Sequence, residues 1–137
     1  MIAQVWAWLT DPAQWSGPNG IPVRLAEHLQ ISGFAMLLAC LVALPVAVWL
    51  GHVGRGGFLA INVGNVGRAI PTYALLVIFA SMDPIGVGEK AAVLALAVFA
   101  LPPLLTNTYV AMRQVDPEVK DAARGMGMTG GQLLRRV

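Results

Sequence analysis

The chain has 137 residues, of which 57% are hydrophobic and 12% charged, and its net charge is +2. An ordinary soluble domain carries about twice that charged share, which puts a membrane protein first among the classes to test. A charge balance this slight and this scattered excludes the electrostatic footprint of a nucleic-acid binder. The one cysteine, Cys40, has no partner in the chain, so an internal disulfide and a thiolate metal site are excluded, and it reads as a small buried hydrophobe.

In chain order, MIAQVWAWLTDPAQW has no basic leading region and no small-residue cleavage site, so it does not read as a secretory signal peptide. Met1, Ile2, Val5, Trp6 and Leu9 share one helical face, and Trp6, Trp8 and Trp15 suit the headgroup boundary. Residues 1–22 are therefore expected to form an interfacial segment that ends in the turn-rich SGPNGIP. Pro22 fits the first turn of a helix that leads into a first span over about residues 29–50, closing at Gly51. Along it Ala35, Ala39, Ala43 and Ala47 recur every four residues, a small-residue stripe that lets a neighbouring helix approach closely in lipid.

Ala69 to Met82 alone is too short to cross about 30 Å of hydrocarbon at about 1.5 Å per residue. The second span is therefore expected over about residues 64–82, with Gly57 to Val63 as an interfacial lead-in. Arg68 then either snorkels to the membrane surface along its aliphatic stem or faces the bundle interior as part of a pathway. SMDPIGVGEK reads as a short loop, and a third span follows over about residues 91–112, with Pro102 and Pro103 inside it. Pro45, Pro71, Pro102 and Pro103 each remove a helical hydrogen bond and favour a kink. Tyr73, Asn107, Thr108 and Tyr109 are the polar or aromatic residues near the spans, candidates for a pathway or for interfacial anchors. With the N-terminus outside, the inner segments hold Arg55, Arg113, Lys120, Arg124, Arg135 and Arg136, and the outer ones only Arg24 and Lys90. The excess of inner cations predicts N-terminus out and C-terminus in. His28 and His52 flank the first span on opposite sides, so they share no metal.

The segment 116–137 carries the functional reading. Asp116 fits an N-cap, Pro117 the first helical position, and Glu118 the positive end of the helix dipole. Val119, Ala122, Ala123 and Met126 then share an apolar face opposite Lys120, Asp121 and Arg124. Gly125 or Gly127 supplies the left-handed residue that ends this helix, and Thr129 with Gln132 fits the capping box of a second one. Gly125, Gly127 and Gly130 match the spacing of a dinucleotide fingerprint, but a helix precedes them where a strand is needed. There is no phosphate-binding GxxxxGK[ST] loop, so the chain has no such ATP site of its own, and no cofactor is expected.

Asp121, Ala122 and Ala123, three residues, Gly127, nine residues and then Val137 resemble the EAA-x3-G-x9-I-x-L-P signature of ATP-binding-cassette (ABC) importer permeases. Asp stands in the Glu place, Val in the Ile place, and the last x-L-P is absent. The resemblance implies an all-α fold, a polytopic membrane bundle of the type I ABC importer kind, truncated after three spans. It also implies that residues 23–137 are part of such a transmembrane domain and lie in the cell inner membrane. Asp121, Ala122, Ala123, Gly125 and Gly127 become the coupling helix and turn that grip a cytoplasmic ABC ATPase. The other implied partners are a second permease copy or paralogue, an extracytoplasmic substrate-binding protein and the lipid bilayer. The subunit itself does no bond chemistry.

EHLQIS, NVGRAIPTYALL, IGVG, LPPLLTNTY and ARGMGMTGGQLLRRV are similar to permeases of osmoprotectant importers for glycine betaine, choline and carnitine. Methionine-type amino-acid importer permeases share the Ile-Pro element more loosely and are the alternative. A small ion-coupled secondary transporter is a further alternative, but it would need a coupling carboxylate, and no Asp or Glu falls inside any expected span.

Overall fold

A computed structural model describes the backbone of residues 1–137 and every side chain except those of Leu59 and Arg68. Helices α1 (Ile2–Thr10), α2 (Ile21–Val53), α3 (Gly57–Ala69), α4 (Thr72–Ala80), α5 (Glu89–Gln114), α6 (Pro117–Gly125) and α7 (Gly130–Arg136) follow one another, and the described residues include no strand. The all-α expectation is met. After α1, a single 3-10 turn over Pro12–Gln14 is capped by Asp11 and leads to α2.

Helix α2 opens at Gly20 with proline in its first turn and runs for 33 residues, about 50 Å at 1.5 Å per residue and well beyond the hydrocarbon thickness. It closes at Gly54 in the left-handed conformation, φ +73°, where the Gly54 and Arg55 N–H groups both donate to the Leu50 carbonyl at 3.0 and 3.3 Å. The expected stripe is the buried face: Ala35, Ala39, Ala43 and Ala47 are between 0 and 3% exposed, and Gly51 continues it. Cys40, beside the stripe, is half-buried. The stripe packs on α5, which buries Ala91, Ala95 and Ala97. Gly51 lies so close to α5 that a Cβ there would come within 2.5 Å of Met112 Cβ. The first halves of α2 and α5 adjoin each other as well, so the two helices run parallel. Leu37, Leu41 and Trp49 point away from this contact. In lipid such exposure carries no penalty, and close packing of small residues holds the pair together.

The segment expected as one span over 64–82 is built of two helices, which by length and composition can together count as one broken span or form a re-entrant loop. Helix α3 begins at Gly57, so the presumed lead-in belongs to the same helix as Gly64–Ala69, and the chain breaks at Ile70 and Pro71. Ile70 is extended, φ −79° and ψ 119°, because the ring of a following proline disfavours helical backbone. Pro71 then caps α4, and the two helices meet at 83°. Pro45, Pro102 and Pro103 lie within unbroken helices. α3 runs antiparallel to α5 and meets it through a face of small residues: Cβ atoms built at Gly57, Gly64 and Gly67 would strike Tyr109, Thr106 and Pro102. Between them the Thr106 hydroxyl donates to the Ala60 carbonyl at 3.0 Å. With α2 and α5 parallel and α3 reversed, Arg55, Arg113 and the α6–α7 pair gather at one end of the bundle. Arg24 and Lys90 lie at the other.

Candidate functional site: the helix pair beyond the spans

Helix α5 ends at Val115, extended with ψ 129°, and Asp116 is also extended before Pro117. The Asp116 carboxylate accepts the Glu118 N–H at 2.8 Å, satisfying one of the donors that a helix start leaves free. Glu118 occupies the first turn and Arg124 the last, both favourable to the helix dipole. Asp121 and Arg124 pair at 3.4 Å with both side chains mostly in solvent, so the pair contributes little to stability.

The C-terminal end of α6 is a Schellman motif. Gly127, at φ +82°, donates to the Arg124 carbonyl at 2.9 Å, and the Met128 N–H donates to the Ala123 carbonyl at 3.1 Å. Gly127 is thus the left-handed residue, while Gly125 is the last residue of the helix. The chain then starts α7 with the expected reciprocal cap. Thr129 Oγ1 accepts the Gln132 N–H at 3.4 Å, and Gln132 Oε1 accepts the Thr129 N–H at 2.8 Å.

The apolar face expected on α6 is divided between the two sides of the helix. Ala123 alone is buried, at 3% exposed, whereas Val119, Ala122 and Met126 face outward and Lys120 is half-buried. α6 and α7 contact each other, and Ala123 of α6 and Leu133 of α7 are both buried. Asp121, Ala122, Gly125 and Gly127 remain on the surface.

The residues singled out near the spans are dispersed. Tyr73 is largely exposed on α4 and Asn107 exposed on α5. Tyr109 is buried, with its hydroxyl against the backbone at Gly57, so it packs α3 on α5. The Arg68 side chain lies outside the described residues. Two contributors escape sequence reading. Thr106 hydrogen-bonds across α3 and α5, which the small-residue spacing Gly57, Ala60, Gly64 and Gly67 could have flagged. His52 sits against the start of α7, its Nε2 3.4 Å from the place a Gly130 side chain would occupy.

Comparison with known proteins bears on this architecture. Residues 25–137 match the family described as "Binding-protein-dependent transport system inner membrane component". The glycine betaine/carnitine/choline transport system permease protein OpuCB of Bacillus subtilis is 33% identical over 114 residues, 83% of this chain and 52% of the relative. A carnitine transport permease protein of Listeria monocytogenes is 36% identical over 124 residues, covering 90% and 56%. The osmoprotectant import permease protein OsmY of Salmonella typhimurium is 35% identical over 113 residues, covering 81% and 47%. The chain spans about half the length of the curated relatives it matches. No solved structure gives a significant match. By a family match that takes in both long apolar helices and the α6–α7 pair, the chain belongs to the binding-protein-dependent transport system inner membrane components.

Proposed function

We propose that this chain serves as a permease subunit of an ABC importer for osmoprotectants of the glycine betaine, choline and carnitine class. The observation that carries the mechanism is α6: a capped, amphipathic helix at one end of the bundle, with Val119, Ala122 and Met126 turned outward. An outward apolar face bounded by Asp121 suits docking into a groove of a cytoplasmic ATPase. Ala122 and Asp121 are the contact residues on this reading. Ala123 sets the angle of the helix from inside, and Gly127 sets the turn. Closure of two ATPases on ATP would push on α6, and the push would reach α5 through the two-residue link Val115–Asp116.

The clustering of Arg55, Arg113, Lys120, Arg124, Arg135 and Arg136 at the α6 end supports a cytoplasmic C-terminus and an outer N-terminus. On the outer side α1, with Trp6 and Trp8 exposed, suits the interface of the bilayer. An extracytoplasmic binding protein would deliver the solute there, and a second permease copy or paralogue would complete the path. The test is association. The chain is co-expressed with the ATPase subunit of its importer and purified through an affinity tag. Co-purification is expected for the wild type, with loss for Ala122→Trp while membrane insertion is retained. Undiminished co-purification of Ala122→Trp would overturn the docking face.

A further inference from the structure

A cavity of about 260 Å³ lies where the ends of α2 and α5 meet α6 and α7. His52, Arg113, Lys120 and Arg124 line it from three different helices, and no Asp or Glu is among its described lining residues. Met112 and Leu133 supply part of its apolar wall. Among the described residues, the one ion pair made by Arg113, Lys120 or Arg124 is that of Arg124 with Asp121, on the solvent side. The cations Arg113, Lys120 and Arg124, gathered around one partly open cavity, repel one another, and an anion between them relieves that repulsion.

We infer that this cavity binds the phosphate of an anionic phospholipid headgroup. The position favours a lipid. The cavity sits at the ends of the two helices long and apolar enough to cross the membrane, where headgroups lie, and basic pockets between membrane helices suit anionic headgroups. Its volume is below the roughly 300–1,000 Å³ of a whole-ligand pocket, which fits a headgroup whose acyl chains stay in the bilayer. The geometry of α6 argues against a carboxylate of the ATPase as the occupant. At about 100° per residue, Ala122 lies opposite the midpoint of Lys120 and Arg124, so the cavity face and the outward face are different sides of one helix. The inference rests on the membrane placement of α2 and α5 and is independent of the ATPase-docking reading.

The test uses the purified 137-residue chain. Native mass spectrometry in neutral detergent compares phosphatidylglycerol with phosphatidylcholine of the same acyl chains, and a further arm adds inorganic phosphate in excess. Preferential retention of phosphatidylglycerol is expected. Lys120→Gln and Arg113→Gln should each weaken it about fivefold, the effect of one cation near a membrane surface. Lys120→Arg should preserve it, and so should Arg135→Gln, which removes a charge that does not line the cavity. Circular dichroism establishes that each variant keeps its helices. If Lys120→Gln does not fold, Arg113→Gln carries the comparison, and the wild-type preference must still collapse at high salt. Equal retention of the two lipids, or an equal loss in Arg135→Gln, would overturn the inference. Displacement by inorganic phosphate would replace the lipid with a free anion and overturn it too. Loss of ATPase co-purification in Lys120→Gln with lipid selectivity unchanged would assign the cavity to a protein carboxylate, again overturning it.

Discussion

Gly64→Ala tests the contact that holds the reversed helix α3 on α5. A Cβ at Gly64 would meet Thr106 Cβ at 3.2 Å and overlap the Thr106 hydroxyl, so one of the two helices must shift. Overpacking of this kind costs about 1–3 kcal/mol, and the gain in helix propensity from Gly to Ala returns up to about 1 kcal/mol. A net loss of about 1–2 kcal/mol is expected. Thr106→Ala removes the hydroxyl that donates to Ala60, which in membrane helices is worth about 0.6 kcal/mol and at most about 1.7 kcal/mol. It also removes the atom that an alanine at position 64 would strike. The double variant should therefore be only a few tenths of a kcal/mol less stable than Thr106→Ala alone, a coupling of about 1 kcal/mol. Unfolding in mixed micelles with increasing sodium dodecyl sulfate, followed by circular dichroism, measures all four proteins of the cycle. Effects that add to within about 0.5 kcal/mol would mean that α3 does not pack on Thr106.

Three further outcomes follow from the placement of residues. In a Cys40→Ala background, a cysteine at Ser81 should be labelled from outside intact cells and one at Gly54 only after permeabilisation; the reverse pattern would invert the topology. Gly127→Ala should lower stability by about 1 kcal/mol, because Gly127 holds a positive φ, whereas Gly125→Ala, in a helix with open space around it, should raise it by up to about 1 kcal/mol. The same sign for both, read by thermal unfolding, would remove the Schellman turn from the account. In cells that lack other osmoprotectant importers, the permease with its ATPase and binding protein should restore growth at high osmolarity when glycine betaine or choline is supplied. Methionine uptake with no response to quaternary ammonium compounds would reassign it to amino-acid import.

What the sequence determined by itself is local in origin. Membrane class follows from hydropathy. The four-residue spacing of Ala35, Ala39, Ala43 and Ala47 follows from the helical repeat, and all four are buried as expected. The caps at Asp116 and Thr129 were legible because each is a hydrogen bond between groups two or three residues apart. The spacing from Asp121 through Gly127 to Val137, which underlies the family resemblance, was legible for the same reason: it needs no fold to be seen. Proline shows the limit of that reading. Pro71 ends a helix and Pro102 does not, although both carry the same local penalty. Pro102 is received by α3 at Gly67, where the absent side chain leaves room for its ring, and neighbouring helices can sustain backbone that a proline disturbs. The 83° turn between α3 and α4 was likewise outside the reach of hydropathy, which rates both pieces apolar whatever angle they make. Only the tertiary structure decided which side of α6 is used within the chain. Val119, Ala122, Ala123 and Met126 are alike as apolar residues on one helical face, and packing within the chain buries Ala123 and leaves the other three outward.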